Sequence, residues 1–428
     1  MDIVLVFGAM VLLMLLGIPV AFGMGLATLL AFLVNGNLNL IPVITQRMYS
    51  GATSFVLLAI PFYILAGLLM NAGGMTMRIV RWADNIVGHI TGGMGHVNVL
   101  ASIVFSGMSG SAVADAGGLG MVELEMMKKA GYDDDFSAAI TAASSTIGPI
   151  FPPSIPFVVF GGLTGVSVGR LFLGGVIPGL SMGIALMVAV YLVARARDYP
   201  KNDRRAPISD VLRSSVDALL ALGSVIIIVG GILCGVFTPT EAAVVACLYA
   251  LILGLFVFRE LHLSQLPSIL WETAQNTVRV LFIIAVAGAY AWALTLMHVP
   301  ERVFLALGGL TEHPWLLLLI INAVLLLLGC FMESISIMLL VIPILLPIII
   351  KVGIDPVHFG VMVCLNLAIG LVTPPMGLSL YTVSAVSKIP VQGIIRELWP
   401  YIIALIGVLL VITYVPPLTL WLPSILIR

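Results

Sequence analysis

The stretch Ile147–Pro153 reads IGPIFPP, and it returns as IGLVTPP at Ile369–Pro375, a spacing of 222 positions (369 − 147 = 222). The same spacing joins Gly131 to Gly353, Asp133 to Asp355 and Pro178 to Pro400. Each copy lies in an apolar segment, where a cluster of Gly and Pro ends one helix and begins another. The alternative to an internal repeat is that two Pro-Pro loops match by coincidence, because sequence identity between the halves is near background elsewhere. Broken helices at matching positions of two halves point to the binding site of a secondary transporter.

The composition is that of an integral membrane protein. Of the 428 residues, 61% are hydrophobic and 9% are charged, and the mean hydropathy is +1.19. Such values lie far outside the range of soluble domains. Met1–Leu16 has no basic n-region and no cleavage site, so it is predicted to be a first span, not a signal peptide. No GxxxxGK[ST] motif is present, which indicates that energy comes from an ion gradient or from downhill flow.

The apolar segments predict an all-α membrane protein with about ten spans and two re-entrant helical hairpins. The spans are Ile3–Leu16, Val20–Val34, Phe55–Leu69, Phe136–Phe160 (broken), Leu171–Val193, Ala218–Leu233, Ala242–Phe258, Val278–Leu296, His358–Val386 (broken) and Trp399–Tyr414. The hairpins are Met94–Met127 and Trp315–Ile350, each interrupted by small or polar residues. Asn37–Ser54 and His262–Gln275 mix apolar and polar residues and suit helices along the membrane interface.

The distribution of Lys and Arg orients this layout. With the N-terminus outside, 14 of the 19 Lys and Arg residues fall on the cytoplasmic side, which satisfies the positive-inside rule. Five spans per half is an odd number, so the second half is inverted relative to the first. The first hairpin then opens from the cytoplasm and the second from outside, as an inverted-topology transporter requires.

The unpaired carbonyls at a helix break carry partial negative charge and suit Na⁺. Each break is expected to face the tip of its own hairpin. The first predicted Na⁺ cage consists of Ser106, Ser109, Ser111, Ser145, Thr146 and Gly148, and the second of Met332, Ser334, Ser336, Ala368, Gly370 and Thr373. Neither cage holds an obvious carboxylate, but Na⁺ is also held by neutral oxygens. Any single serine here serves equally well as a small residue that allows close helix packing.

The substrate is expected between the two tips, where half-helix N-termini and hydroxyls face a carboxylate. Candidate contacts are Pro153, Ser154, Pro375, Met376, Gly377 and Ser379, and Arg47 or Arg302 are weaker candidates that reach in from loops. Asp115 and Glu333 are intramembrane acids, which are costly and functional by default. Asp115 alternatively caps the second arm of its hairpin. Glu241 follows Thr238-Pro239-Thr240 and is expected to support an N-capped helix start.

Five motifs carry a resemblance: SGMSGSAVAD (106–115), IGPIFPPS (147–154), IGLVTPPMG (369–377), FTPTEAA (237–243) and AIPFYILAGLLMNAGG (59–74). They resemble the large membrane subunit of TRAP transporters, the tripartite ATP-independent periplasmic uptake systems, over essentially the whole chain. The resemblance implies a sodium-coupled elevator transporter in the bacterial inner membrane that is not an enzyme. It works with a small four-helix membrane subunit and a soluble periplasmic binding protein that delivers an organic acid.

The resemblance is closest to sialic-acid-type systems, so sialic acid is the expected substrate, ahead of C4-dicarboxylates and other sugar acids. Some relatives fuse the small subunit to the large one, and here it is expected to be a separate polypeptide. Membrane lipids are expected as partners, and nucleic acids are not. The predicted scaffold comprises residues 1–93, 168–314 and 388–428, and the predicted transport domain comprises residues 94–167 and 315–387.

Three other classes are compatible with parts of the sequence. Gly107–Gly110 matches the GxSG of rhomboid-type proteases, which need a histidine base on a facing span, but all six histidines fall in loops or near span ends. Two inverted hairpins favour alternate gating over one continuous channel. A binding-protein-independent sodium/anion symporter of similar architecture is the nearest alternative, although its Ser-Asn-Thr hairpin signature is absent.

Overall fold

The computed structural model describes residues 18–34, 38–202, 205–307 and 313–427, together with positions 8, 10, 12, 13 and 16. Across this part the chain forms twenty α-helices and no strand. Most of the first predicted span, Ile3–Leu16, lies outside the described residues. The all-helical architecture expected from the composition is confirmed.

The helices of the first repeat are α1 (Val20–Val34), α2 (Ile41–Ala52), α3 (Ala59–Ala72), α4 (Met75–Val87), α5 (Gly93–Ser109), α6 (Ala112–Gly117), α7 (Leu119–Lys129), α8 (Asp134–Ser145), α9 (Ile155–Thr164) and α10 (Val168–Arg197). Those of the second are α11 (Ile208–Leu233), α12 (Pro239–Ile252), α13 (Leu266–Leu296), α14 (Val299–Leu307), α15 (Pro314–Gly329), α16 (Ser334–Lys351), α17 (Pro356–Gly370), α18 (Leu378–Ser387), α19 (Val391–Tyr414) and α20 (Pro417–Leu426). Short 3₁₀ turns cover Leu38–Leu40, Phe55–Leu58 and Leu263–Gln265, and a π-helical turn, Leu253–Val257, extends α12.

Six helical segments within the described residues are long and apolar enough to cross a membrane, and the bent α11 makes a seventh. They are Phe55–Ala72, Val168–Arg197, Pro239–Val257, Leu263–Leu296, Ser334–Lys351 and Val391–Tyr414, and α11 bends by 48° between Leu220 and Leu222. The two predicted broken spans are present as the pairs α8/α9 and α17/α18, whose members are too short to cross alone. The predicted count of ten spans is therefore not reached by helix length.

One predicted boundary is wrong. The second interfacial segment, His262–Gln275, was expected to be separate from the span Val278–Leu296, but the continuous helix α13 covers both. The first repeat keeps the division, because α2 ends at Ala52 and a 3₁₀ turn precedes α3. The α13 helix packs along α2, α1 and α3, and Gly51 and Gly288 allow the close approach of α2 to α13.

The two hairpins and the two broken helices form the centre of the molecule. Hairpin α5–α7 packs on α8, and hairpin α15–α16 packs on α17, so each hairpin contacts the broken helix of its own repeat. The contacts then cross between the repeats, since α6 packs on α18 and α16 packs on α9. This exchange places both hairpin tips and both breaks together around the same pseudo-twofold centre.

Buried side-chain hydrogen bonds attach each hairpin to its own broken helix. In the first repeat, Asn98 donates to Thr141 Oγ1 at 2.8 Å, and Ser144 donates to Asn98 Oδ1 at 2.7 Å. In the second, Asn366 donates to Asn322 Oδ1 at 2.8 Å. Ser144 and Asn366 are themselves 222 positions apart (366 − 144 = 222). Buried side-chain hydrogen bonds of this kind hold their elements in one arrangement.

Helices α10 and α19 occupy equivalent positions in the two repeats and pack on each other, with α19 against α8 and α10 against α17. Arg197 and Glu397 form an ion pair of 2.7 Å between their polar ends. In the loop after α10, Tyr199 donates to Asp133 Oδ2 at 2.5 Å and stacks on Tyr132. Burial, followed by the neighbouring Asp133 carboxylate, raises the pKa of Tyr199 to about 12, so its phenol stays protonated near neutral pH.

The contact between α15 and α17 depends on two glycines. A Cβ atom built on Gly329 would lie 2.9 Å from Gly370 Cα, and one built on Gly370 would lie 2.7 Å from Gly329 Cα. Both neighbours are backbone atoms, which cannot rotate away as a side chain would. The tip of the second hairpin therefore reaches the second break because neither residue has a side chain.

We expect Gly329→Ala to lower the stability of the folded chain by about 1–3 kcal/mol, because the added methyl group overpacks two backbones. The matched control is Gly407→Ala on α19, where a Cβ would meet nothing within 4 Å and helix propensity favours Ala by about 1 kcal/mol. Thermal unfolding of both variants in detergent measures the difference. Equal melting temperatures would show that the backbones of α15 and α17 are not in close contact.

Candidate functional site

The tip of the first hairpin holds a buried carboxylate between hydroxyl groups. Ser109 donates to Asp115 Oδ1, and Ser106 lies 3.4 Å from Asp115 Oδ2. Gly110, with φ of 61°, turns the chain back between the two arms. Asp115 is 2% exposed, and its helix α6 begins only three residues before it. Its carboxyl group is thus held within the protein, next to two hydroxyl oxygens of the first arm.

The first helix break faces this tip, as predicted. A Cβ atom on Gly148 would lie 2.6 Å from Asp115 Oδ2 and 3.1 Å from the carbonyl carbon of Ser111. Ser145 and Thr146 donate their hydroxyl hydrogens to the carbonyls of Ala142 and Ala143 at 2.8 and 2.6 Å. Their oxygen lone pairs stay available as acceptors. The structure therefore brings the hairpin and the break together into one oxygen-lined site.

Two expectations about Asp115 change. The first cage was expected to contain no carboxylate, but Asp115 lies inside it. The alternative that Asp115 caps the second arm is wrong, because the N-cap position of α6 is Ser111 and Asp115 accepts from serines of the first arm. A set of hydroxyls, carbonyls and one carboxylate offers only hard oxygen ligands, and the absence of a side chain on Gly148 lets the helix break approach Asp115 closely. These residues fit a monovalent hard cation such as Na⁺.

The second hairpin contacts the second break in the corresponding way. Ser334 donates to the carbonyl of Leu367 at 3.2 Å, and the Met376 amide donates to the carbonyl of Cys330 at 3.2 Å. Thr373 donates to the carbonyl of Ile369 at 2.8 Å. The remaining candidates, Met332 and Gly370, lie in the tip itself and at the Gly329 contact. The predicted meeting of tip and break is therefore observed in both repeats.

Glu333 takes the capping role that was considered for Asp115. It is the N-cap residue of α16 and accepts from the Ser336 amide at 3.1 Å and from the Ser336 hydroxyl at 3.4 Å. Glu333 and Ser111 occupy equivalent positions (333 − 111 = 222), yet only Glu333 caps with its side chain. The two candidate acids therefore have different local roles.

Of the first group of substrate candidates, Pro153 and Ser154 are buried. The Ser154 hydroxyl donates to Pro149 O at 2.5 Å and accepts from the Phe157 amide at 3.2 Å, so it caps α9. Its hydrogen is engaged within the protein and does not face an anion. The amide of Ile155 donates to Gly110 O at 3.3 Å, which joins the start of α9 to the tip of the first hairpin.

The second group is more open. Met376 is 58% exposed and Pro375 is also exposed, whereas Gly377 is buried and a Cβ there would lie 2.6 Å from Leu371 O. Ser379 is fully buried in the first turn of α18, and among the described residues its hydroxyl has no hydrogen-bond partner. An unpaired buried hydroxyl costs free energy unless a ligand satisfies it. Of the two candidate serines, Ser379 is thus the one whose hydroxyl hydrogen is not engaged within the described part of the chain.

Sequence reasoning missed one buried acid. Glu123 on α7 is 2% exposed, and its Oε1 atom has no hydrogen-bond partner among the described residues. Its neighbour Glu125 is exposed and pairs with Lys129 at 2.6 Å, and no sequence pattern separates the two acids. Asn98 and Asn366 were also missed, although the spacing of 222 between Ser144 and Asn366 was available as a signal.

The other predictions for side chains have mixed outcomes. The Thr238–Glu241 capping box at the start of α12 is confirmed. Arg47 lies over the ring of Trp292, 5.6 Å from its centroid, and Arg302 is exposed on α14, so neither is placed at the hairpin tips. Within the described ranges, no group of three or more His, Cys, Asp and Glu side chains could hold a metal ion.

Inverted repeats that each bring a re-entrant hairpin to a broken helix define a secondary membrane transporter. The comparison of sequences identifies the family of secondary transporters to which the chain belongs. Residues 7–418 match the family model of the tripartite ATP-independent periplasmic transporter, DctM component. The chain belongs to this family, the large permease subunits of TRAP transporters.

Several relatives are similar over most of the length of this chain. The sialic acid TRAP transporter large permease protein SiaM of Vibrio cholerae is 46% identical over 412 residues, which are 96% of this chain and 95% of SiaM. The sialic acid permease SiaT of Haemophilus influenzae is 41% identical, with 97% of this chain and 67% of SiaT covered. The C4-dicarboxylate large permease DctM of Pseudomonas aeruginosa is 40% identical, with 88% of each chain covered.

A solved structure shares the fold alone. The YdaH transporter of Alcanivorax borkumensis superposes with a TM-score of 0.65 at 14% identity, covering 91% of this chain and 89% of that one. Together with the apolar spans, family membership places the protein in the inner membrane as a multi-pass transporter. The rhomboid-type protease hypothesis is excluded, because the relatives are transporter permeases.

We expect Ser106→Leu and Ser109→Leu to lower solute uptake by at least about tenfold, because each removes a hydroxyl beside the buried Asp115 carboxylate and fills the space that a cation needs. Thr295→Leu, at an exposed hydroxyl on α13, is the matched control. Uptake into proteoliposomes is measured together with assembly of the membrane complex. Normal uptake by both serine variants would place the first cation site elsewhere.

Proposed function

We propose that this subunit carries out Na⁺-coupled uptake of a small organic acid delivered by a periplasmic binding protein. The observation that carries the proposal is the oxygen-lined site of Ser106, Ser109, Asp115 and the Gly148 break. It unites a hairpin tip with a helix break and gathers oxygen ligands that suit a hard cation. Bound Na⁺ would neutralise the Asp115 carboxylate and favour an anionic substrate nearby.

The substrate that we propose is sialic acid, with C4-dicarboxylates and other sugar acids next. Support comes from SiaM and SiaT, whose names specify sialic acid, and from DctM, whose name specifies C4-dicarboxylates. A carboxylate between the tips would face the N-termini of α9 and α18, where unpaired amides carry partial positive charge. The buried Ser379 hydroxyl would donate to the same substrate.

As the DctM component of a tripartite system, the chain works with a small membrane subunit and a periplasmic binding protein. We propose that the small four-helix subunit is a separate polypeptide. The name of SiaM, which specifies a large permease protein, supports this arrangement. We further propose that the N-terminus is periplasmic, because that orientation places most Lys and Arg in the cytoplasm.

For the transport step we propose an elevator motion of one block past a frame. The block contains both hairpins and both broken helices, and we add α10 and α19, which the domain prediction had placed in the scaffold. Both helices pack on the broken helices and on each other, and the ion pair of Arg197 with Glu397 links them. The frame contains α1–α4 and α11–α13. Rigid-body movement of one bundle against another is the usual form of alternating access in inverted-repeat transporters.

The first expected outcome concerns coupling. Uptake by proteoliposomes that contain the large subunit, the small subunit and the binding protein should vanish when external Na⁺ is replaced by K⁺, because the site beside Asp115 is proposed to bind Na⁺. Omitting the binding protein should also stop uptake, which separates this proposal from a binding-protein-independent symporter. Equal transport in K⁺ would refute sodium coupling.

The second expected outcome concerns motion. In the pair Gly107→Cys and Val225→Cys, which joins the block (α5) to the frame (α11), the Cβ atoms would lie 3.5 Å apart, within the range of a disulfide. Oxidation should lower the rate of uptake by at least about tenfold, and reduction of the disulfide should restore it. The exposed Cys234 is first replaced by Ala so that it cannot compete.

The matched control for this cross-link is the pair Gly161→Cys and Val168→Cys, with a Cβ separation of 3.7 Å. It joins α9 to α10, both of which lie in the proposed block, so uptake should continue when it is oxidised. Continued uptake with a fully formed 107–225 disulfide would favour a local gate at the hairpin tips over an elevator.

A further inference from the structure

A polar cavity lies away from the hairpins, where α4, α11 and the end of the α12 segment meet. It has a volume of about 190 Å³ and is lined by Met77, Arg78, Arg81, Ser214, Asp217 and Glu260. A water molecule occupies roughly 30 Å³ of the liquid, so the cavity has space for a group of several heavy atoms. None of these residues belongs to the transport site described above.

The walls carry two cations and two anions. Arg78 pairs with Glu260 at 2.7 Å and also donates to the carbonyl of Gly74 at 2.7 Å. Its guanidinium stacks over the ring of Phe258, 4.0 Å from the centroid, so it is held in place from three sides. Arg81 and Asp217 have no ion-pair partner within 4 Å in the part of the chain that the structure describes. The cavity therefore offers one unpaired positive group and one unpaired negative group.

The wall between α4 and α11 is fixed by hydrogen bonds beneath the cavity. Trp82 donates to Ser215 Oγ at 3.2 Å, and Asn85 donates to Ser214 Oγ at 2.9 Å. Arg81 and Asp217, on opposite walls, are thus held at a set separation by the helices that carry them. A preorganised pair of opposite charges recognises a ligand that carries both charges at a matching separation.

The cavity lies beside the first turns of α11, a candidate membrane span by length and composition. The α4 helix is amphipathic, with Met75 and Ile79 buried on one face and Arg78 and Arg81 on the other. On α11, exposed apolar side chains follow the helix from the cavity level into the membrane: Leu212 (63% exposed), Val216 (61%) and Leu219 (59%). A ligand with its polar group in the cavity could extend acyl chains along this apolar strip.

We propose that this cavity binds the headgroup of a zwitterionic phospholipid with a primary ammonium group, phosphatidylethanolamine. Arg81 would contact the phosphate, as Arg does at many anion sites. Asp217 would accept hydrogen bonds from the ammonium, and Glu260 would add a second carboxylate on that side. The proposal is independent of the transport mechanism, because these residues lie outside the hairpins and breaks.

The carboxylates of Asp217 and Glu260 determine which phospholipid headgroup fits the cavity. Phosphatidylglycerol carries a phosphate but no cation, so Asp217 and Glu260 would repel it, and basic sites for anionic lipids usually lack such acids. Phosphatidylcholine carries a quaternary ammonium, which has no N–H to donate to a carboxylate. Of these three lipids, phosphatidylethanolamine is the one whose phosphate and primary ammonium match both sides of the cavity.

The test is native mass spectrometry of the full chain after incubation with equimolar phosphatidylethanolamine, phosphatidylglycerol and phosphatidylcholine. We expect phosphatidylethanolamine to be retained preferentially, and Arg81→Gln and Asp217→Asn each to reduce its retention by about tenfold, the cost of one charged hydrogen bond. Arg195→Gln and Asp198→Asn change exposed charges outside the cavity and should leave retention unchanged. Thermal unfolding verifies that all four variants are folded.

Further arms of the experiment identify the source of the ligand. Soluble phosphoethanolamine should compete poorly, since it lacks the acyl chains that the apolar strip would bind. Retention that does not distinguish the three lipids, or that survives both cavity variants, would overturn the proposal. Equal binding of soluble phosphoethanolamine would assign the cavity to a free metabolite, and loss of the lipid on addition of the small subunit would assign it to a protein contact. Either result also overturns a lipid site.

Discussion

A helix that stops within a membrane leaves backbone amides and carbonyls that lipid cannot satisfy, and the rest of this structure depends on how they are paired. The two hairpins supply the partners. The Ile155 amide donates to Gly110 O at 3.3 Å, and the Met376 amide donates to Cys330 O at 3.2 Å. In each repeat the chain that resumes after the break is therefore hydrogen-bonded to a hairpin tip. The polar backbone needed for a binding site is tolerated in the membrane because protein covers it.

The repeats share this arrangement but differ in chemistry. In the first, Ser111 occupies the N-cap position without a side-chain bond, and Asp115 one turn later faces the hydroxyls of Ser106 and Ser109. In the second, Glu333 caps its helix, and its carboxylate accepts a hydrogen bond from the Ser336 amide. Local hydrogen bonding thus directs one acid into the site and the other onto the backbone. A symmetric backbone can in this way offer two sites of different charge.

The contacts also distinguish parts that are held together from parts that only touch. Asn98 and Asn322 bond each hairpin to its broken helix through buried amides, and the glycine pair at Gly329 and Gly370 brings two backbones together. Movement of a tip without its broken helix would leave these polar groups unpaired, which is costly in an apolar interior. By comparison, the atoms nearest to the Cβ position of Gly107 belong to the apolar side chain of Val225 on α11. Apolar contacts of that kind slide at lower cost.

The sequence by itself determined the membrane class, the repeat, the two breaks and the family. Composition, proline positions and a spacing of 222 can all be read from the amino-acid sequence without a structure. The sequence also predicted correctly which hairpin contacts which helix break. Tertiary structure decided which polar groups are paired. It places Asp115 in the first site, and it engages the Ser154 hydroxyl in a helix cap while the Ser379 hydroxyl has no partner among the described residues. It also buries Glu123 and leaves Glu125 exposed. It also merged the second arm with its span in α13. These outcomes depend on neighbours distant in the chain, and local sequence patterns carry no information about such neighbours.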